Sequence, residues 1–349
     1  MPGKLDGHVV MVEDEKKGNR LYNKGYFGKP LSGGGVELNL LEAIYLIEAQ
    51  RLEVVDSEGD DLPKEVLMEK AVEIDDRFDV IYPVYRDMRL RGYVLKKASD
   101  PADFRVFPRG GGPGKTPTRY WLKANLETDT FSIKKIEEMY NVINKLKKTM
   151  IVGLLDLEGD VTYYKMSTLV VNGKVEKYDG KKIEGNLHGY KCIIDESNSI
   201  LYDEQFFGNI IDNNIEISLL ESLYLVEHGY LDVKKESEEE YFSFEELKGY
   251  GSEKDDNLDL KYNIYSHLRN NEMVPKTGFK YGTAFRCYKG DPEHHHAEFI
   301  IEPVPKDFTT SWYNISKSVR VAHSVKKTFI YARQKNDEPV YFRIKRVTP

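Results

Sequence analysis

Two cysteines, Cys192 and Cys287, are all that the 349 residues contain, too few for a disulfide framework or a four-cysteine zinc site. Both are expected as small buried residues in a reducing compartment. Nor is there a run of about 18 apolar residues to span a bilayer, or a leader with a charged start and an apolar middle. The expectation is a cytoplasmic chain with no membrane partner. The run "RGGGPGKTP" at 109–117 lacks the downstream helix that P-loop spacing requires, and is expected as a flexible loop. No cofactor is implied.

What is present is a well-furnished globular composition. Hydrophobic residues make up 40% and aromatic residues 12%, enough to fill several cores and to exclude disorder over most of the chain. At ~100 to 150 residues per domain, the length calls for more than one module. The net charge of −7 argues mildly against a nucleic-acid partner, but its distribution reverses that argument. Residues 311–349 hold nine Lys and Arg against two acidic residues, leaving an acidic body with one basic working surface.

The chain contains itself twice. "LLEAIYLIEAQRLEV" at 40–54 returns as "LLESLYLVEHGYLDV" at 219–233, and "LYNKGYFGKPL" at 21–31 returns as "LYDEQFFGNII" at 201–211. "FRVF" at 104–107 matches "FRCY" at 285–288, and "KKTMIV" at 147–152 matches "KKTFIY" at 326–331. Four matches in one order, each offset by about 180 residues, define a tandem duplication. Each repeat opens with short β-type runs leading to an amphipathic helix, with Leu40, Leu41, Ile44 and Tyr45 as its stripe. Strands flanked by two helices follow. The fold class is therefore α+β, or mixed α/β: a small α+β module and a mixed-sheet module covered by helices, both present twice. The expected boundaries are 1–63, 64–170, 171–256 and 257–349, with hinges at 56–64, 172–190 and 248–256, where glycine and charge concentrate.

A duplication supplies its own control, because residues that hold the fold persist in both copies while chemical groups can vanish from one. Tyr288 corresponds to Phe107, which keeps the ring and loses the hydroxyl. His296 corresponds to Thr118, and Lys327 to Lys148. Only the second repeat assembles a phenol, an imidazole and an ammonium. Taken singly, Tyr288 would be a packing residue, the histidines 294–296 a solvated loop, and the Lys-Lys pair a helix-end complement to the dipole. On a continuous helix Arg320 and Lys327 would share one face two turns apart, held to the sheet by Ile315, Val319, Ala322 and Val325. In an extended segment consecutive histidines alternate sides, so only His294 and His296 could share a metal ion.

The second repeat resembles the archaeal tRNA-splicing endonucleases through "KTGFKYGTAFRCY" at 276–288, "HAEFIIEPV" at 296–304 and "SVRVAHSVKKTFIYA" at 318–332. The first resembles that family's non-catalytic unit, and the likeness covers essentially the whole chain. The resemblance implies metal-independent cutting of precursor tRNA at bulge-helix-bulge motifs, with a 2′,3′-cyclic phosphate and a 5′-hydroxyl as ends, by a homodimer of such chains. It implies Tyr288 as general base, His296 as general acid and Lys327 as the cation on the charged phosphorane. Arg320, with Arg343 or Lys345, would clamp a bulge base, and Asp156, Glu158 and Asp160 would form an acidic docking loop at the dimer interface. The residue types suit the reaction independently: one group takes a proton, one gives it, and a cation meets the growing charge. Two alternatives remain: an RNA-binding structural subunit without catalysis, and a metallohydrolase built on His294 and His296.

Overall fold

A computed structural model describes residues 2–235, 240–335 and 338–349. The chain divides into two compact units, one of residues 1–129, 137–165 and 347–349, the other of residues 130–136 and 166–346.

The same small module opens each repeat. In the first, the sheet order is Lys29–Pro30, Val36–Asn39, Val9–Val12, Gly3–Asp6 and Val54–Val55; in the second it is Asn209–Ile211, Asn214–Ser218, Lys191–Asp195, Ile183–His188 and Leu231–Lys234. In both sheets the last strand runs parallel to its neighbour. The helix predicted from the leucine stripe is Leu40–Glu48, and its counterpart is Leu219–Glu227. Asn39 and Ser218 start these helices by accepting a hydrogen bond from the backbone N–H of Glu42 and Glu221. Leu40, Ala43, Ile44 and Leu46 are buried, a wider face than the predicted stripe, while Leu41 and Tyr45 are only partly covered.

Two of the expected hinges are not hinges. Residues 56–64 form a turn inside the first module: the Asp56 carboxylate accepts from the N–H groups of Glu58, Gly59 and Asp60, and Val55 bridges Asp61. The helix Lys64–Ile74 that follows sends Leu67 and Ala71 into the same core. Residues 248–256 largely continue the helix Phe244–Ser252, which Ser243 and Glu246 start with a reciprocal capping box. Glycine and charge marked turns and solvated helix faces there.

The second part of each repeat is a sheet under helices. In the first repeat its strands lie in the order Val161–Leu169, Thr149–Leu155, Tyr120–Leu126, Phe104–Phe107, Val94–Lys97. The second repeat has the same order, Val340–Val347, Thr328–Arg333, Phe299–Val304, Phe285–Tyr288, Val274–Thr277. Thr328–Arg333 runs parallel to Phe299–Val304 and is buried along Phe329–Ala332, the near-continuous apolar run of a strand covered on both faces. In the second unit Thr130–Ser132 pairs with Thr309–Ser311, and Phe131 meets Trp312 edge to face at 5.1 Å. Cys192 and Cys287 are buried and unpaired; burial pushes the Cys192 thiol up to about 12.

Within each unit the two parts are fastened by the same buried charges. Lys96 Nζ lies 3.1 Å from Glu42 and donates to the Gly28 carbonyl at 2.9 Å. Lys276 Nζ lies 3.4 Å from Glu221 and donates to the Gly208 carbonyl at 3.0 Å. Beside these, the Arg89 and Arg269 guanidinium groups stack over Phe27 and Phe207 at 3.8 and 3.9 Å.

Candidate active site

Three adjacent strands of the second unit end at the predicted catalytic residues. Cys287 pairs with Phe299 and Phe299 with Thr328, so Tyr288 and Lys327, each one step further, bracket the start of the central strand. Two strand spacings, roughly 10 Å, separate their backbones. The segment His296–Glu298 leads into that central strand, and the Thr328 N–H donates to the Glu298 carbonyl at 2.9 Å. Ala297 is the meeting point: it is buried in one small cluster with Tyr288 and Val274, its carbonyl accepts from Lys327 Nζ at 2.9 Å, and His296 precedes it, exposed. The structure thus brings Tyr288, His296 and Lys327 to one end of one sheet.

Lys327 reaches this place by a route different from the helical one expected. The helix is Trp312–Ser324, and Lys326 turns left-handed at φ 56°. The N–H groups of Lys326 and Lys327 then close back on the His323 and Ala322 carbonyls at 3.0 and 2.8 Å, a Schellman-type end. Lys327 therefore stands on the connection to the next strand and shares no helical face with Arg320. Ile315, Val319 and Ala322 hold the helix to the sheet as predicted, whereas Val325, in the cap, is 38% exposed. The first repeat ends its helix in the same way, with Lys147 at φ 55°.

The histidines lie in a turn and not in an extended segment, so side-chain alternation does not govern them. His295 N–H donates to the Asp291 carbonyl, and His294 Nδ1 lies 2.5 Å from the Asp291 carboxylate. That contact holds His294 above its ordinary pKa and Asp291 below its own. Asp291 occupies the His294 ring; the His295 and His296 rings are both exposed, and His296 is the one that directly precedes Ala297. Among the described residues no group of three or more His, Cys, Asp or Glu side chains is arranged to hold a metal ion.

The binding candidates divide. Arg320 is exposed on the polar face of its helix, and Lys345 is exposed near the end of the last strand. Arg343 commits its Nε to Ser167 Oγ at 2.9 Å. In the acidic loop, Asp156 accepts from the N–H groups of Glu158 and Asp160 at 3.0 and 2.8 Å, so it shapes the turn, while Glu158 and Asp160 point to solvent.

Two residues escaped the sequence reading. Arg286, two positions before Tyr288 and on the same face of the strand, holds its guanidinium 5.8 Å from the Tyr288 ring centroid. Its Nε is buried and has no hydrogen-bond partner among the described residues. Arg105 occupies the same place in the first repeat, so comparison of the copies could not single it out. Tyr281 presents its ring 5.8 Å from Lys327 Nζ. The signal was available there: the loop containing Tyr281 has no aromatic counterpart in residues 98–103.

Comparison with known proteins matches this two-fold plan. The model of the tRNA intron endonuclease catalytic C-terminal domain matches residues 78–163 and again 258–342; that of the family's N-terminal domain matches residues 1–68 and 183–248. The tRNA-splicing endonuclease of Methanosarcina barkeri is 33% identical, with 99% of each chain covered. That of Methanococcoides burtonii is 30% identical over 97% of each chain, and that of Haloarcula marismortui 29% identical over 99% of each. With both domain types matched in both repeats and relatives aligned from end to end, the chain belongs to the tRNA-splicing endonuclease family and is a tRNA-intron endonuclease.

Proposed function

We propose that this enzyme cuts precursor tRNA at intron-exon junctions within bulge-helix-bulge motifs, without a metal ion, by internal transfer to the neighbouring ribose hydroxyl. The convergence of Tyr288, His296 and Lys327 around Ala297 carries the proposal. Tyr288 takes the proton of the 2′-hydroxyl, the O2′–P bond forms and the P–O5′ bond breaks. The departing O5′ takes a proton from His296, while Lys327 stabilises the charge on the phosphorane oxygens. The products are a 2′,3′-cyclic phosphate and a 5′-hydroxyl. Arg320 supplies a planar cation suited to stacking on a bulge base, with Lys345 favoured over Arg343 as its companion because Ser167 already engages Arg343. Two chains pair, the exposed Glu158 and Asp160 of one approaching a basic surface of the other.

Cleavage of an intron-containing transcript in excess EDTA tests this reading. Undiminished cutting with a cyclic phosphate end supports it; strict dependence on Mg²⁺, or a 3′-hydroxyl end, refutes it.

A further inference from the structure

The loop between the strands Val274–Thr277 and Phe285–Tyr288 contains a short helical turn, Phe279–Tyr281, whose composition is unusual for an unburied segment: aromatic, basic, aromatic. Phe279 is 89% exposed. An uncovered phenyl ring of this size forfeits the stabilisation of burial, about 1.5–3 kcal/mol, and folding alone gives no reason for it. Its neighbours tie the turn to the reacting centre. The Tyr281 ring lies 5.8 Å from the Nζ of Lys327 and 5.1 Å from that of Lys280. Hydrogen bonds from Gly278 N–H to the Ala284 carbonyl and from Ala284 N–H to Glu302 hold the base of the loop, so the exposed ring is presented from a fixed support.

The duplication sharpens the argument. The same connection in the first repeat, residues 98–103, reads Ala-Ser-Asp-Pro-Ala-Asp, with no aromatic ring and no cation. The cleft beside the loop differs in the same sense. At the seam of the two modules in the second unit, Phe279 borders a cavity of about 510 Å³; the matching cavity of the first unit measures about 110 Å³. Ile81, which lines the smaller one, is replaced in the larger by Lys261, whose Nζ pairs with Asp255 at 2.6 Å. Space and an exposed aromatic ring next to Lys280 accompany the repeat that keeps the catalytic groups.

We infer that Phe279 is a stacking platform for an unpaired base of the RNA next to the scissile phosphate, with Lys280 close to the adjoining backbone. This rests on the endonuclease reading above. Stacking suits the task because every base offers a π-face, and an RNA bulge leaves bases unstacked and available.

The experiment compares Phe279→Ala, Phe279→Trp and the unaltered enzyme on an intron-containing precursor, measuring Kd by filter binding and the single-turnover cleavage rate. The expectation for Phe279→Ala is a Kd raised about 5- to 140-fold, with the cleavage rate at saturation within about threefold of normal. Phe279→Trp restores binding. A series of substrates with single abasic sites through the bulge then locates the partner: at one position the abasic RNA binds Phe279→Ala and the unaltered enzyme equally. Unaltered Kd in Phe279→Ala, or a defect of the same size at every abasic position, overturns the proposal. Failure of the unaltered enzyme to cut the precursor would instead refute the parent reading. Unchanged thermal unfolding of Phe279→Ala is expected from its exposure, and a lowered Tm would mark the residue as structural and refute the inference.

Discussion

Replacing Lys276 by Met keeps most of the side chain's bulk and deletes its charge, leaving Glu221 buried without its cation. The pair is well shielded, with side-chain exposures of 17% for Lys276 and 8% for Glu221, so solvent screening offers little relief. Removing one partner of a buried pair costs about 3–5 kcal/mol, most of it the penalty for the stranded charge. Glu221 keeps other partners: it accepts from Gly208 N–H at 3.0 Å and from Ser218 N–H at 2.8 Å. The lower part of that range is therefore expected for Lys276→Met. Changing Glu221 to Gln in the same chain removes the stranded charge, and the double variant should be more stable than Lys276→Met alone. Urea unfolding followed by the fluorescence of Trp312, buried in the same unit, with amide exchange along Val274–Thr277, measures the difference. Acid supplies a second check. Burial alone would raise the Glu221 carboxyl, but Lys276, the Gly208 and Ser218 N–H groups and Arg269 hold it below its ordinary value of 4.5. A depressed carboxyl stabilises the fold above its unfolded pKa and loses that contribution as pH falls through the folded one. The advantage of the unaltered protein over the double variant should thus shrink progressively below about pH 4.5. A loss under about 1 kcal/mol in Lys276→Met, or a double variant weaker than the single, would refute the assignment of this pair as the fastening between modules.

Tyr288→Phe reproduces what the first repeat already carries at Phe107, so folding should be untouched while single-turnover cleavage falls ~10²–10⁴-fold with RNA affinity unchanged. His296→Ala should lose activity on the same scale, whereas His294→Ala, whose ring is engaged by Asp291, should cut at nearly the normal rate; the opposite ranking would move the acid two positions back. Charge reversal at Glu158 and Asp160 should shift sedimentation from a dimer toward one chain mass of 40.4 kDa, and an unchanged profile would remove that loop from the interface.

The repeat, both module types and most strands were legible because apolar patterning and turn residues act locally, and each motif appeared twice. The histidine turn was not legible: its geometry depends on Asp291 closing on His294 and His295, which residue spacing does not reveal. The left-handed Lys326 was equally hidden, since a lysine there costs only local strain and the sequence reads on as helix. The hinge expectations failed for a related reason. Glycine and charge indicate solvent contact, and Asp56 and Ser243 convert such stretches into a turn and a capped helix. The buried pairs Glu42–Lys96 and Glu221–Lys276 could have been found by asking which charges survive in both copies.

Persistence and loss meet at one pair of strands. Val274–Thr277 carries Lys276, which fastens the modules, and it pairs directly with the strand that carries Tyr288: Lys276 stands opposite Arg286, and Val274 opposite Tyr288. The charge that docks the module therefore also fixes the height of the phenol, one strand away from Ala297 and two from Lys327. The first repeat keeps the same docking through Lys96 opposite Arg105 and places Phe107 opposite Val94. Its scaffold is intact and its chemistry is gone, so docking suffices for the fold and cannot by itself create the site. Conversely, a site spread over three strand ends has no support of its own. It inherits its geometry from the fastening that both copies retain.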